Sequence, residues 1–246
     1  MPRLLRAVVT TACLISTVSA CADLAPVAPP EPRVATVQAV TPSMPLDLEA
    51  AAPTLEGFTE LERAALRIRN IGCGGVRTGS GFAIGDHLLV TNRHVVAGAT
   101  TLEVSTFDGR DIDVRTSGAA TMADLAIVRT VERLPASITL APGNPEVGQT
   151  VTAIGYPLGG PLTTTDGRVL GYRPDPVAKS TLPMLLNSAP VEHGSSGSPL
   201  VDITGELVGV IYASTGPGNS YAVPIAVLQD VLDQPQAFAA KTDCDD

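Results

Sequence analysis

From Ala64 onward the chain is never long without a turn signal: apolar, β-branched runs of three to six residues alternate with Gly, Pro and Asp-Gly. Runs this short suit strands and fall below the length a helix needs to bury a face. Leu66–Arg69, Gly81–Ile84, Leu88–Thr91, Leu102–Phe107, Leu125–Val128, Thr150–Ile154, Pro199–Val201 and Leu207–Tyr212 read as strands. Asp108-Gly109 and Asp166-Gly167 read as hairpin turns. Many short strands at close spacing predict an all-β barrel or sandwich. One helix is expected, Ile225–Leu232, starting after Pro224 with Ile225, Leu228 and Leu232 on its buried face.

The N-terminus has a different character. Arg3 and Arg6 precede an uncharged stretch from Ala7 to Val18, too short to span a bilayer and suited to an export signal over residues 1–20. Val18-Ser19-Ala20-Cys21 resembles the lipobox of bacterial lipoproteins, in which the Cys is acylated and anchors the protein to a membrane. The alternative is plain cleavage after Ala20 and free secretion. Residues 21–58, with Pro at 26, 29, 30, 32, 42, 45 and 53, show no periodicity and read as an extended tether. Cys73 and Cys244 are then the cysteines left in the exported chain, a natural disulfide pair whose alternative is two free thiols. The net charge of -9, with no basic cluster, disfavours nucleic acid as a partner.

Only three histidines exist, so any imidazole chemistry must use His87, His94 or His193. No two of them have local metal-ligand spacing, and neither metal nor cofactor is expected. His94 stands where an apolar strand turns toward a short helix, and Asp124 stands at the start of Asp124-Leu-Ala-Ile-Val128. Ser196 lies in Gly194-Ser-Ser-Gly-Ser198, where small neighbours let a carbonyl approach both a hydroxyl and backbone N–H groups. Taken singly, each has a bland reading: a structural His, a turn Asp, a loop Ser. His87 reads as a surface turn residue; His193, three residues before Ser196, either biases the site's pH response or simply lines the cleft.

Together these segments resemble the His, Asp and Ser motifs of trypsin-like serine peptidases, in the order His94, Asp124, Ser196. An α/β-hydrolase would need a His after the Ser, and none follows His193. Gly79-Ser-Gly-Phe82, Thr91-Asn-Arg-His94 and Gly155-Tyr-Pro-Leu-Gly-Gly160 are similar to the bacterial HtrA-like branch. Within it, Gly155–Pro161, Cys73-Gly-Gly75 and Tyr221-Ala-Val-Pro224 look most like the actinobacterial acid-resistance periplasmic serine proteases.

The resemblance covers roughly residues 64–235 and implies a chymotrypsin-like fold of two six-stranded antiparallel β-barrels. A peptidase domain over 59–235 and a tail over 236–246 are expected, with no PDZ domain after it. The resemblance implies a serine endopeptidase acting on protein or peptide substrates through Ser196, His94 and Asp124, with the Gly194 and Ser196 N–H groups as oxyanion hole. It also implies a specificity pocket floored by Pro190 and walled by Ser214 and Ser220, which offers no charge to Arg or Lys and favours a small or apolar P1 residue. Ser195 stands where the family has Asn or Asp, and Arg93 where a small residue is usual before the His. The competing readings are a catalytically silent, peptide-binding lipoprotein on the same fold and an esterase.

Overall fold

The computed structural model describes residues 58–240 except 73, 121–122, 176, 179–180, 217 and 235–237. The export signal, the tether, Cys21, Cys73 and Cys244 lie outside the described residues. A one-turn helix α1 (Glu60–Ala64) opens this part, capped by Thr59, whose hydroxyl accepts the Glu62 N–H at 3.2 Å while the Glu62 carboxylate takes the Thr59 N–H at 2.8 Å.

The first half holds β1 (Ala65–Gly72), β2 (Gly75–Gly85), β3 (Leu88–Thr91), α2 (Arg93–Val96), β4 (Ala99–Ser105), β5 (Asp111–Ile112), β6 (Val114–Ala120) and β7 (Ala126–Thr130). The second holds β8 (Thr150–Gly155), a 3-10 turn (Pro157–Gly159), β9 (Thr163–Pro174), β10 (Pro183–Asn187), β11 (Pro199–Val201), β12 (Leu207–Ser214), β13 (Ser220–Pro224) and α3 (Ile225–Leu232). A last strand, β14 (Phe238–Ala240), returns to the first half and pairs with β6.

The second half is a closed barrel of six strands, β10-β13-β12-β11-β8-β9. The first half is the half-barrel of the expected trypsin-like double-barrel fold and differs from it only in strand count: one eight-stranded sheet, ordered β14-β6-β7-β3-β2-β1-β4-β5, that does not close among the described residues. Two short strands account for the difference. Six strands from β6 to β4 form the curled body, β14 extends one edge, and the two-residue β5 is too short to carry pairing across to the other.

Three apolar clusters fill the molecule. One lies inside the first sheet around Leu66, Ile68, Leu89 and Val128, and one inside the barrel around Val151, Leu185, Leu200 and Ile211. The largest joins the halves: Phe82, Val90 and Leu125 from the first pack with Ile154, Tyr156, Leu207 and Val223 from the second. Each such side chain taken from water contributes about 1.5 to 3 kcal/mol. Helix α3 seals this joint with Ile225, Leu228 and Val231 buried; Leu232, expected on that face, is only half-buried.

The two Asp-Gly dipeptides part company. Asp108-Gly109 does turn the chain, with Gly109 at φ 80° and its N–H on the Thr106 carbonyl at 2.9 Å. Asp166-Gly167 is no turn: it lies inside β9, where Asp166 pairs with Thr152 and Gly167 with Val151 of β8. A Cβ on Gly167 would stand 2.2 Å from the Ala189 nitrogen, so the glycine serves close backbone approach.

Candidate active site

The acid–base half of the site follows from strand register. β3 and β7 are antiparallel with Thr91 opposite Ala126, which brings the residues just past β3 against those just before β7. Asn92, fully buried, leads into α2 and donates its Nδ2 to the Asp124 carbonyl at 2.9 Å. The backbone N–H of His94 donates to Asp124 Oδ1 at 3.0 Å, and His94 Nδ1 bonds Asp124 Oδ2. An ionised carboxylate can only accept, so Nδ1 is the nitrogen that carries the hydrogen in this pair, and in the neutral imidazole Nε2 keeps the lone pair. That is the state a general base requires. Arg93, more than half exposed, has its Nε 3.9 Å from Asp124 Oδ1, a loose ion pair that solvent screens.

Ser196 sits in the turn between β10 and β11. Its hydroxyl donates to the Tyr212 carbonyl at 3.4 Å, and among the described residues no hydrogen bond joins it to His94. His94 and Asp124 are therefore in contact, while Ser196 lines the same cleft with its side chain turned to β12. A single χ1 step between staggered wells redirects such a hydroxyl.

The backbone of this turn is held by its carbonyls. The Leu158 N–H takes the His193 carbonyl at 2.5 Å, and the Ser198 N–H takes the Ser195 carbonyl at 3.0 Å. Because C=O and N–H oppose each other across a trans peptide, the Gly194 and Ser196 N–H groups face away from those anchors. Among the described residues neither N–H has a carbonyl acceptor. Gly194 has φ 92°, and a Cβ there would come within 2.7 Å of the Tyr156 oxygen, so only glycine fits. Leu158 is the one non-glycine residue with positive φ among those described, at 57°, and its side chain is exposed in the cleft.

The cleft encloses about 960 Å³ and is lined by His94, Asp124, Ser196, Leu158, His193 and Tyr212 among others. Beside it lies a cavity of about 510 Å³ lined by Pro190, Ser195, Ser198, Ser214, Gly216 and Gly218. Val191, Glu192 and Ser214 line both spaces. Ser220 is fully buried in the barrel wall, its hydroxyl 3.0 Å from both Asn187 Oδ1 and the Ala189 carbonyl. His87 is exposed, away from the cleft lining.

Sequence reasoning passed over Tyr212 and Asp175. The Tyr212 ring lies edge-on to His94 with centroids 6.4 Å apart, and its hydroxyl donates to Asp175 Oδ1 at 3.2 Å. Burial, then the charges of Asp175 and Asp124, push its phenol well above the ordinary tyrosine range. The same Asp175 oxygen accepts the Val177 and Ala178 N–H groups at 2.8 and 2.9 Å, fastening the segment that rims the cleft. Tyr212 ends an apolar run in the sequence, but nothing local marks Asp175. Among the described residues no three His, Cys, Asp or Glu side chains gather as a metal would need.

A two-lobed β fold with a His–Asp pair and a serine turn facing one cleft defines the trypsin-like class, and residues 79–210 match the trypsin-like peptidase domain. The chain belongs to that family. A probable periplasmic serine endoprotease DegP-like from Halomonas elongata is 37% identical over 166 residues, 63% of this chain and 34% of its own length. Its counterpart from Pseudomonas fulva is 32% identical over 203 residues, 78% of this chain and 42% of that protein. These relatives fall on the HtrA branch that the motifs resemble, and this chain spans well under half of their length. Among solved structures, the Rv3671c protease from M. tuberculosis in its active form superposes with a TM-score of 0.64 at 26% identity, covering 78% of this chain and 87% of that one. The inactive form of the same protease gives 0.63 at 26% identity, over 74% and 92%.

Proposed function

We propose that this chain is a serine endopeptidase in which Ser196, His94 and Asp124 cleave peptide bonds through an acyl-enzyme. The observation that carries the reading is the His94–Asp124 pair on the same cleft as Ser196, whose own N–H and that of Gly194 have no carbonyl acceptor among the described residues. Ser196 leaves the Tyr212 carbonyl by rotating about χ1 and attacks the substrate carbonyl as its proton passes to His94 Nε2. Asp124 holds the imidazole tautomer and stabilises the imidazolium. The Gly194 and Ser196 N–H groups receive the developing oxyanion, a contribution of about 3 to 4 kcal/mol per donor in related chemistry. The leaving amine takes the proton from Nε2, and water then releases the acyl group by the same steps reversed.

The substrate is a protein or peptide. Pro190 and Ser214 bring no charge to the inner cavity, which supports an uncharged P1 residue. The periplasmic naming of the relatives supports an extracytoplasmic location, and residues 1–20 supply the export signal. Among the described residues no helix is long and apolar enough to cross a membrane. Attachment through acylated Cys21, with residues 22–58 as tether, fits a protease held at a membrane surface. The test is labelling of the purified protein with a fluorophosphonate, followed by mapping of the modified residue. Label on Ser196, abolished in Ser196→Ala, supports the reading; a protein that takes no label and cuts no peptide is the silent binder instead.

A further inference from the structure

Four successive carbonyls run through the nucleophile turn, and each is claimed by a donor. His193 is held by the Leu158 N–H and Ser195 by the Ser198 N–H. The other two are held by one residue from the opposite half of the molecule: Ser80 of β2 gives its Oγ–H to the Gly194 carbonyl at 2.8 Å and its N–H to the Ser196 carbonyl at 2.8 Å. The same hydroxyl accepts the Tyr156 N–H at 2.9 Å, just past the end of β8 and two residues before Leu158. Ser80 is completely buried, and its own carbonyl accepts the Thr91 hydroxyl at 2.6 Å, next to the segment that carries His94.

Two glycines make room for it. A Cβ on Gly155 would stand 1.8 Å from Ser198 Oγ and 2.8 Å from Ser80 Oγ, and one on Gly197 2.1 Å from the Ser80 carbonyl oxygen. Of the four donors to these carbonyls, the Ser80 hydroxyl alone is a side chain, so among them it alone can be deleted by substitution. It also grips the carbonyl of Gly194, a residue with no Cβ to restrict rotation of the adjoining peptide planes.

We propose that the Ser80 hydroxyl is a positioning group for the oxyanion site: by tying the Gly194 carbonyl to the Tyr156 N–H it fixes the 194–195 peptide, which lies between the two peptides that carry the Gly194 and Ser196 N–H groups, and so keeps those two N–H groups aimed into the cleft. This rests on the peptidase reading above. Ser80 touches no substrate; it acts by denying the turn its alternative peptide orientations. In Ser80→Ala the Gly194 carbonyl loses its donor, and the 194–195 peptide keeps its Ser195 N–H bond to the Glu192 carbonyl at 3.0 Å but not its second anchor, so the oxyanion site is held less firmly. A transition-state interaction weakens while ground-state binding is spared, so kcat falls and KM stays.

The experiment compares wild type, Ser80→Ala and Ser80→Cys, the last keeping a weak S–H donor of similar size. Peptide turnover and fluorophosphonate labelling are measured well below each melting midpoint and normalised to the folded fraction. The expected result is a kcat for Ser80→Ala lower by about 10- to 100-fold, a labelling rate that falls with it, KM within about twofold, and Ser80→Cys in between. A folded Ser80→Ala with wild-type kcat, or a loss that lies wholly in KM or in the folded fraction, overturns the proposal. Should Ser80→Ala be recovered only unfolded, Ser80→Cys decides: folded and as fast as wild type, it overturns the role equally. A wild-type protein that neither labels nor cuts removes the peptidase reading itself, a result distinct from a labelled, active wild type unmoved by change at Ser80.

Discussion

Gly109 and Gly167 each follow an aspartate, yet they should answer the same substitution for different reasons. Gly109 is left-handed with φ 80° and nothing within 4 Å of where a Cβ would stand. Alanine there meets backbone strain alone, about 1 kcal/mol, and asparagine, which tolerates that conformation, less. Gly167 has an ordinary φ, but its Cβ would fall 2.2 Å from the Ala189 nitrogen and 2.7 Å from both Ala189 Cα and Ser188 C. The nearest gap is about 1.2 Å short of the 3.4 Å at which ordinary contact begins. All three opposing atoms are backbone and cannot swing aside, so β9 must separate from the 188–190 segment, at about 3 kcal/mol or more. The assay is urea unfolding of Gly109→Ala, Gly109→Asn, Gly167→Ala and Gly167→Asn, with the slope checked for constancy. Asparagine should be milder than alanine at 109 and harsher at 167. Equal responses at the two sites, or a Gly167→Ala midpoint matching wild type, would refute the steric argument.

Asp124→Asn should keep the fold but reduce kcat by about 10⁴, as in related triads where the wrong imidazole tautomer results; single-turnover kinetics would show it, and a loss under tenfold would contradict the role. Tyr156 is buried and its phenol is pushed up from 10.0 to about 12 chiefly by that burial, against the nearby Arg67 charge. The native state therefore holds this proton more tightly than the unfolded one. Its contribution, about 2 to 3 kcal/mol, is complete below pH 10 and is lost as pH rises to about 12. Denaturant titrations across that window should slope less steeply in Tyr156→Phe. A peptide-library digest should show cleavage after small or apolar residues; predominant cutting after Arg or Lys would reject Pro190 as the pocket floor.

Elements whose signal is local were legible. Leu88–Thr91 and Pro199–Val201 are strands with the bounds their apolar runs suggest, and Ile225–Leu232 is the helix that Pro224 introduces. The Asp166-Gly167 error has a physical source: the dipeptide's turn preference is real, but pairing with β8 along Thr163–Arg168 outweighs it, and the close passage of Ala189 that needs glycine is invisible from one strand. For the site, the segments bearing His94, Asp124 and Ser196 were readable because turn and strand chemistry surrounds them. Ser80 lay in a motif, Gly79-Ser-Gly-Phe82, that marked the family but not what the hydroxyl does, since its partners are 76 and 114 residues away along the chain. Leu158 likewise lay in Gly155-Tyr-Pro-Leu-Gly-Gly160, which marked the family but not its place in the cleft, and Asp175 carries no local mark, because their contacts exist only once β9, β12 and the 3-10 turn are assembled.

The largest apolar cluster is the seam between the two halves, and this bears on how the proposed peptidase would accommodate a substrate. Proteins that close on a ligand like a jaw keep a thin, wet joint between their lobes, whereas here Phe82, Val90 and Leu125 are locked into Ile154, Leu207 and Val223 beneath the cleft. Swinging the lobes apart would bring oil to water at every stroke. The slot consequently keeps a fixed width, and adjustment to differing polypeptides falls to the rim, where the side chains of Leu158 and Val177 are exposed on backbone that is itself held.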